Sequence, residues 1–159
     1  MEYENPTRRY KWFRPRQAQY GSIQPGTHVN YGQGSLYNDS TGPQLLVVRA
    51  INMLSSQGAN MFLQAYQGKS GAPGGTVSPF VAGEARLAGA LFSLDNASGL
   101  FAVFGMSSPT GSFPFNGSLP VMVLPPGWSL LAQSSGLADV CTFSFLWEAI
   151  SIDELDFLY

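Results

Sequence analysis

Apolar residues in this chain come in short runs that repeat every second position and are broken by Gly or Pro about every ten residues, a rhythm that predicts short strands rather than helices. Residues 44–51, Gln-Leu-Leu-Val-Val-Arg-Ala-Ile, form the first good strand by β-branching and length. Residues 60–67 follow, with Met61, Leu63 and Ala65 on one face and Phe62, Gln64 and Tyr66 on the other. In residues 84–94 an Ala-rich composition favours helix and the interior Gly89 opposes it, and a strand over 87–94 is the preferred reading. Residues 99–104 and 119–124 are too short for helices. The strongest pattern comes last: a strand at 128–134, a turn at 135–138 and a strand at 139–150, read as an antiparallel hairpin. In the second arm Cys141, Phe143, Phe145, Trp147 and Ala149 share one face, an aromatic wall fit to cover a core. About seven short strands with no internal repeat predict an all-β fold, an antiparallel β-sandwich or jelly roll.

Residues 1–43 lack such a period. Ile23, Val29 and Leu36 are their only branched aliphatic residues, too few for an internal core, so an extended amino-terminal arm is expected over 1–43, with the sandwich domain at 44–150. Tyr3, Tyr10, Trp12, Phe13 and Tyr20 give the arm anchors that a disordered tail usually lacks. An acidic tail, 151–159, closes the chain, and its Ser151-x-x-Glu154 spacing has the form of a helix capping box.

Charge sharpens this division. Five of the eight Lys and Arg lie in the first sixteen residues and four of the ten Asp and Glu in the last twelve. Between residues 17 and 147 there are only Arg49, Lys69, Arg86, Asp39, Glu84, Asp95 and Asp139. A free soluble domain carries roughly a quarter charged residues, so this body is expected to hide much of its surface against other chains. A net charge of −2 argues against a general nucleic-acid binder. No apolar run approaches the ~20 residues of a membrane helix. Residues 1–16 lack a signal-peptide apolar core, which implies synthesis in the cytoplasm.

No catalytic constellation emerges. The single histidine, His28, lies in the arm, no Gly-x-Ser-x-Gly occurs, and one His and one Cys do not make a zinc site. Gly68-Lys69-Ser70 invites comparison with a phosphate-binding loop, but that motif needs a glycine where Leu63 stands. Glu84, Asp95, Asp139 and Glu148 are the carboxylates available for glycosidase chemistry, and each reads first as a solvated or paired surface group. Cys141 reads as a buried hydrophobe. The Asn38, Asn96 and Asn116 glycosylation sequons read as chance matches in loops. No metal and no cofactor is expected.

The sequence Arg8-Arg9-Tyr10-Lys11-Trp12-Phe13-Arg14-Pro15-Arg16 interleaves cations with aromatic rings. Such a segment suits phosphate contact with base stacking, and it suits protein docking equally. Protein docking is preferred, because no basic groove continues the contact and acids stand ready in Asp153, Glu154 and Asp156 of another subunit. The candidate partner-binding residues are therefore Arg8, Arg9, Lys11, Trp12, Phe13, Arg14, Arg16, Asp153, Glu154 and Asp156. The alternative is a carbohydrate-binding module with Trp128, Trp147 and Tyr66 as stacking platforms.

Leu124-Pro125-Pro126-Gly127-Trp128-Ser129-Leu130, followed by a hairpin into Phe143-Ser144-Phe145-Leu146-Trp147-Glu148, resembles the closing hairpin of small β-sandwich proteins of tailed-bacteriophage particles. The likeness covers the last third. With the preceding strands and the arm, the whole resembles virion accessory proteins that decorate a capsid or belong to a tail. The resemblance implies a catalytically inert, homo-oligomeric structural component of a virion that docks on other virion proteins.

Overall fold

A computed structural model describes residues 13–27, 29–99, 104–106, 112–113 and 120–153. After a single 3₁₀ turn at Pro15–Gln17 come β1 (Ala18–Ile23), β2 (Tyr31–Tyr37), β3 (Gln44–Ser55), β4 (Met61–Gln67), β5 (Ala72–Pro73) and β6 (Thr76–Pro79). Then follow β7 (Ala90–Ala97), β8 (Phe104–Met106), β9 (Ser112–Phe113), β10 (Met122–Leu124), β11 (Trp128–Leu137) and β12 (Cys141–Ser151).

The strands form two antiparallel sheets, ordered β10-β3-β12-β1-β6 and β5-β7-β2-β11-β4-β8, with β9 also pairing β3. Setting aside the short β5, β6 and β9 and the flanking β7, the chain passes back and forth between β1-β12-β3-β10 and β2-β11-β4-β8, save that β4 and β8 follow each other within the second sheet. That is the strand order of a jelly roll, two Greek keys folded face to face. The core lies between the sheets: Leu46, Val48, Ile51, Met53, Phe143, Phe145 and Trp147 from the first meet Leu36, Met61, Leu63, Leu130 and Ala132 from the second.

The wall of Cys141, Phe143, Phe145, Trp147 and Ala149 is buried as expected. Its partner strand keeps register through a bulge. Val48 pairs with Trp147 and Ala50 with Leu146, which leaves Arg49 as the extra residue of β3. The bulge changes which positions face inward, from Leu46 and Val48 before it to Ile51 and Met53 after it.

Two expectations need correction. The first concerns the arm, since residues 18–23 and 31–37 are not extended away from the body but are central strands, β1 beside β12 and β2 beside β11. Counting their own aliphatic residues misled, because the apolar cover comes from elsewhere. A side chain at Gly34 would put its Cβ 2.7 Å from Phe143 Cδ2, so the bare backbone of β2 is the seat of that ring. The buried Gln19 and Gln33 are also satisfied, since Gln19 donates to Ala88 O at 2.9 Å and accepts from Leu87 N–H, while Gln33 donates to Ser70 Oγ at 2.7 Å.

The second correction concerns the closing hairpin. β11 and β12 belong to opposite sheets, and the turn between them is a corner that crosses the core. Both have one apolar face, and periodicity alone does not tell a pair in one sheet from two strands facing across a sandwich. The strand expected at 87–94 starts later, at Ala90, and runs to Ala97.

Candidate interaction surfaces

Each candidate carboxylate is held by its own partners. Glu148 is buried on the outer side of the first sheet, where it pairs with Arg49 Nε and accepts the Arg14 backbone N–H at 3.1 Å. Burial pushes its carboxyl above the ordinary range, against the pull of Arg49 and of the Arg14 N–H. Arg49 Nη1, also buried, has no hydrogen-bond partner. Asp139, at the β11–β12 corner, accepts hydroxyls from Ser134 at 2.5 Å, Ser55 at 2.6 Å and Ser56 at 2.9 Å. Burial there opposes ionisation, but these bonds and one from Gln57 N–H together hold the acid below its usual value. This cluster ties the β3–β4 turn to the β11–β12 corner. Asp95 accepts Gly26 N–H at 2.8 Å, and Glu84 stands 3.9 Å from Arg16. Among the described residues no three His, Cys, Asp or Glu side chains gather as a metal site.

Of the three proposed sugar platforms, one belongs to the interior and one is partly buried against it. Trp147 is fully buried and donates Nε1–H to Ala88 O at 2.9 Å, and Trp128 packs against the core. Tyr66 is exposed. The Asn38 sequon is closed as well, for Asn38 is buried and donates Nδ2 to Gln44 O and Leu124 O. Gly68-Lys69-Ser70 begins a strap across the outer face of the second sheet: Gly68 O accepts Ser129 Oγ, Ser70 accepts Gln33, and Lys69 Nζ sits 5.4 Å from the Tyr37 ring centroid and 5.8 Å from that of Phe92.

Of the ten candidate docking residues, Arg8, Arg9, Lys11, Trp12, Glu154 and Asp156 lie outside the described residues, as does His28. Phe13, Arg14 and Arg16 touch their own body instead of standing clear of it. Phe13 meets Phe80 edge to face with centroids 4.8 Å apart, Arg14 Nη1 donates to Gln17 Oε1 at 3.1 Å, and Arg16 faces Glu84. Asp153 is exposed just past β12, where its N–H reaches Ser151 Oγ at 3.4 Å.

The sparse charge of the body points to weakly charged sandwich faces as packing surfaces without saying which, and the outer face of the first sheet is such a face. Strand alternation sets Tyr20 and Ser22 of β1 beside Leu146 and Ser144 of β12, with Ser78 and Thr76 of β6 on one flank and Ala50, Asn52 and Leu54 of β3 on the other. None of these side chains is charged. Tyr20 is 51% exposed and Leu54 57%, and Phe80, 45% exposed, extends the patch towards Phe13. Arg49 and Glu148, on this side of the sheet, are sealed against each other beneath the surface, with Arg14 against Glu148 at the rim. In the sequence the face was hidden by assigning Tyr20 to an arm, which concealed its register opposite Leu146.

A second feature lies at the end of the sandwich. Residues 39–44 and 86–88 line a cleft of ≈ 540 Å³. A smaller one, ≈ 280 Å³, lies at the opposite end between residues 24–27 and 138–140. No known protein family, curated protein or solved structure matches the chain. Among the described residues no helix is long and apolar enough to cross a membrane.

Proposed function

We propose that the protein is a non-enzymatic structural subunit of a phage particle, packing against copies of itself and other virion proteins through the outer face of its first sheet and its basic amino-terminal segment. The observation that carries this reading is the uncharged outer face running from Phe80 and Tyr20 across Leu146 to Leu54. Interface cores are depleted in charge and enriched in aromatic residues, and this face has that composition. Strand order supports the reading by analogy alone, because jelly rolls recur in viral capsid and lectin domains and also elsewhere. Phe13, docked on Phe80, ties the described end of the basic segment to the edge of the same patch.

The test is the solution mass of the full chain by light scattering, beside Tyr20→Arg and Leu146→Arg, with circular dichroism to verify folding. The expected result is a wild-type oligomer that both variants weaken by roughly 100-fold or more, the cost of burying an unpaired charge at an interface. A wild-type chain that stays monomeric at about 100 μM, where an association stronger than about −5.5 kcal/mol would show, or variants that assemble as well as wild type, would overturn this role for the face.

A further inference from the structure

The ≈ 540 Å³ cleft at the end of the sandwich is built from two walls, each fixed from inside the protein. One wall is the β2–β3 connection. Buried Asn38 grips it through Gln44 O and Leu124 O, accepts Ser40 N–H at 3.0 Å, and so sets the turn that displays Ser40 and Thr41. The other wall is the segment before β7. Its Ala88 carbonyl takes bonds from two buried side chains, Gln19 and Trp147, and its Leu87 N–H is held by Gln19 Oε1. Gly89, at φ +125 and with the Trp147 indole 2.5 Å from where a Cβ would stand, admits no other residue at the hinge of this wall. The walls are joined by Gly89 N–H donating to Asp39 Oδ1 at 2.7 Å. A cleft held this way is preorganised, and its volume falls in the range of small-molecule sites, ~300–1,000 Å³.

Its chemistry is specific. Among the described residues Arg86 makes one weak bond, Nη2 to Gly89 O at 3.4 Å, which leaves most of its guanidinium fork facing the cleft's solvent side. Asp39 spends Oδ1 on Gly89 and keeps Oδ2. Thr41 and Gln44 on the first wall and Leu87 on the second also line the cleft. A fork for a carboxylate at one side and an acceptor for hydroxyls at the other match a molecule that carries both groups on a rigid ring. We infer that this cleft, between residues 39–44 and 86–88, binds an acidic sugar of the uronic-acid type. The inference is independent of the assembly proposed above, because it concerns the end of the sandwich and a single copy of the chain.

The experiment titrates the isotope-labelled full chain with an α-1,4-linked galacturonic acid trisaccharide, following backbone amide resonances, with maltotriose and acetate as comparison probes. Saturable shifts are expected at residues 39–44 and 86–88, with a dissociation constant on the order of millimolar, as suits a shallow polar cleft. Arg86→Gln, an exposed substitution that leaves both walls tied, should weaken binding about 5- to 10-fold, and maltotriose should bind wild type more weakly by a similar factor. Thr41→Val provides a second check, with a loss of about 3-fold. No saturable shift, shifts centred elsewhere, an Arg86→Gln variant that binds as well as wild type, or acetate as effective as the trisaccharide would each overturn the assignment.

Discussion

The Arg49–Glu148 pair is the most consequential single contact in the first sheet, and its two halves should fail differently. Both side chains are buried, at 2% and 1% exposure, on opposite strands at the β3 bulge. Glu148→Gln keeps the volume and a carbonyl for Arg14 N–H but leaves a guanidinium buried without its counter-charge. Arginine does not shed its proton in a protein, so the loss should be about 3–5 kcal/mol near pH 7 and shrink at low pH, where the wild-type carboxyl is itself protonated. Arg49→Met leaves the other half, and a carboxyl has an escape: burial already pushes Glu148 upward, and without Arg49 only the Arg14 N–H and the Arg14 charge oppose it. The folded chain then holds the proton more tightly than the unfolded one, so stability is retained at low pH and falls as pH rises above ~4.3, by about 1.4 kcal/mol per unit, until the folded value is passed. Arg49→Met should therefore be mild near pH 4 and severe near pH 7. Replacing both, Arg49→Met with Glu148→Leu, removes two desolvated charges and should return stability to within about 1 kcal/mol of wild type or above it. Urea unfolding followed by tryptophan fluorescence at pH 4, 5.5 and 7 measures all three, since Trp147 adjoins Glu148. A Glu148→Gln loss below about 1 kcal/mol at pH 7, or an Arg49→Met loss that does not change with pH, would refute the argument.

Two further predictions concern the other buried groups of β12 and its corner. Hydrogen bonds hold Asp139 below its usual value, so its contribution is present above ~3.9 and is lost as pH falls through the folded value; Asp139→Asn should cost about 2–3 kcal/mol at pH 7 and flatten the acid-unfolding curve below pH 4 (roughly the unfolded carboxylate value), and an unchanged curve would count against it. Burial, with the nearby Asp139 charge, pushes the Cys141 thiol up to about 12, so a maleimide should leave the native protein unlabelled at neutral pH and react fully once urea unfolds it; equal rates in the two states would contradict this.

Much of the first sheet was legible because β12 alternates cleanly, with a large apolar residue at each inward position from Cys141 to Ala149. A strand that brings its own hydrophobic face announces itself. β1 and β2 do not, because they are strands by virtue of their neighbours: Gly34 lies under Phe143, and Gln19 and Gln33 point to polar partners far along the chain. The same limit explains the misread hairpin, since two strands that face each other across a core carry the same pattern as two that pair. The bulge at Arg49 was hidden as well. Its trace is the switch of inward positions from even to odd numbers between Val48 and Ile51, which in an apolar run reads as a strand buried on both faces. Both candidate surfaces depend on these unread features. Tyr20 joins the uncharged face only once β1 lies beside β12, and Asp39 approaches Arg86 only once β2 and β7 are neighbours.

The scarcity of charge between residues 17 and 147 takes on a different meaning once each charge has a place. Arg49 and Asp139 are buried, which leaves Asp39, Lys69, Glu84, Arg86 and Asp95 to serve the whole body surface. Asp39 and Arg86 line the larger cleft, Glu84 faces Arg16, Asp95 stands on the second sheet's β7, and Lys69 on the strap over that sheet's outer face. Not one lies on the outer face of the first sheet. A body short of charge simply because it folds well would scatter its few charges over every surface. Here they lie elsewhere, while the exposed strand positions of the opposite face, around the sealed Arg49–Glu148 pair, carry hydroxyl, amide and apolar groups, which lose little on desolvation compared with an ion. Packing through that face leaves the end of the sandwich, with Asp39 and Arg86, open to solvent. An assembly built in this way would present one cleft per subunit, and a contact of millimolar strength repeated along a surface gains by avidity what each copy lacks alone.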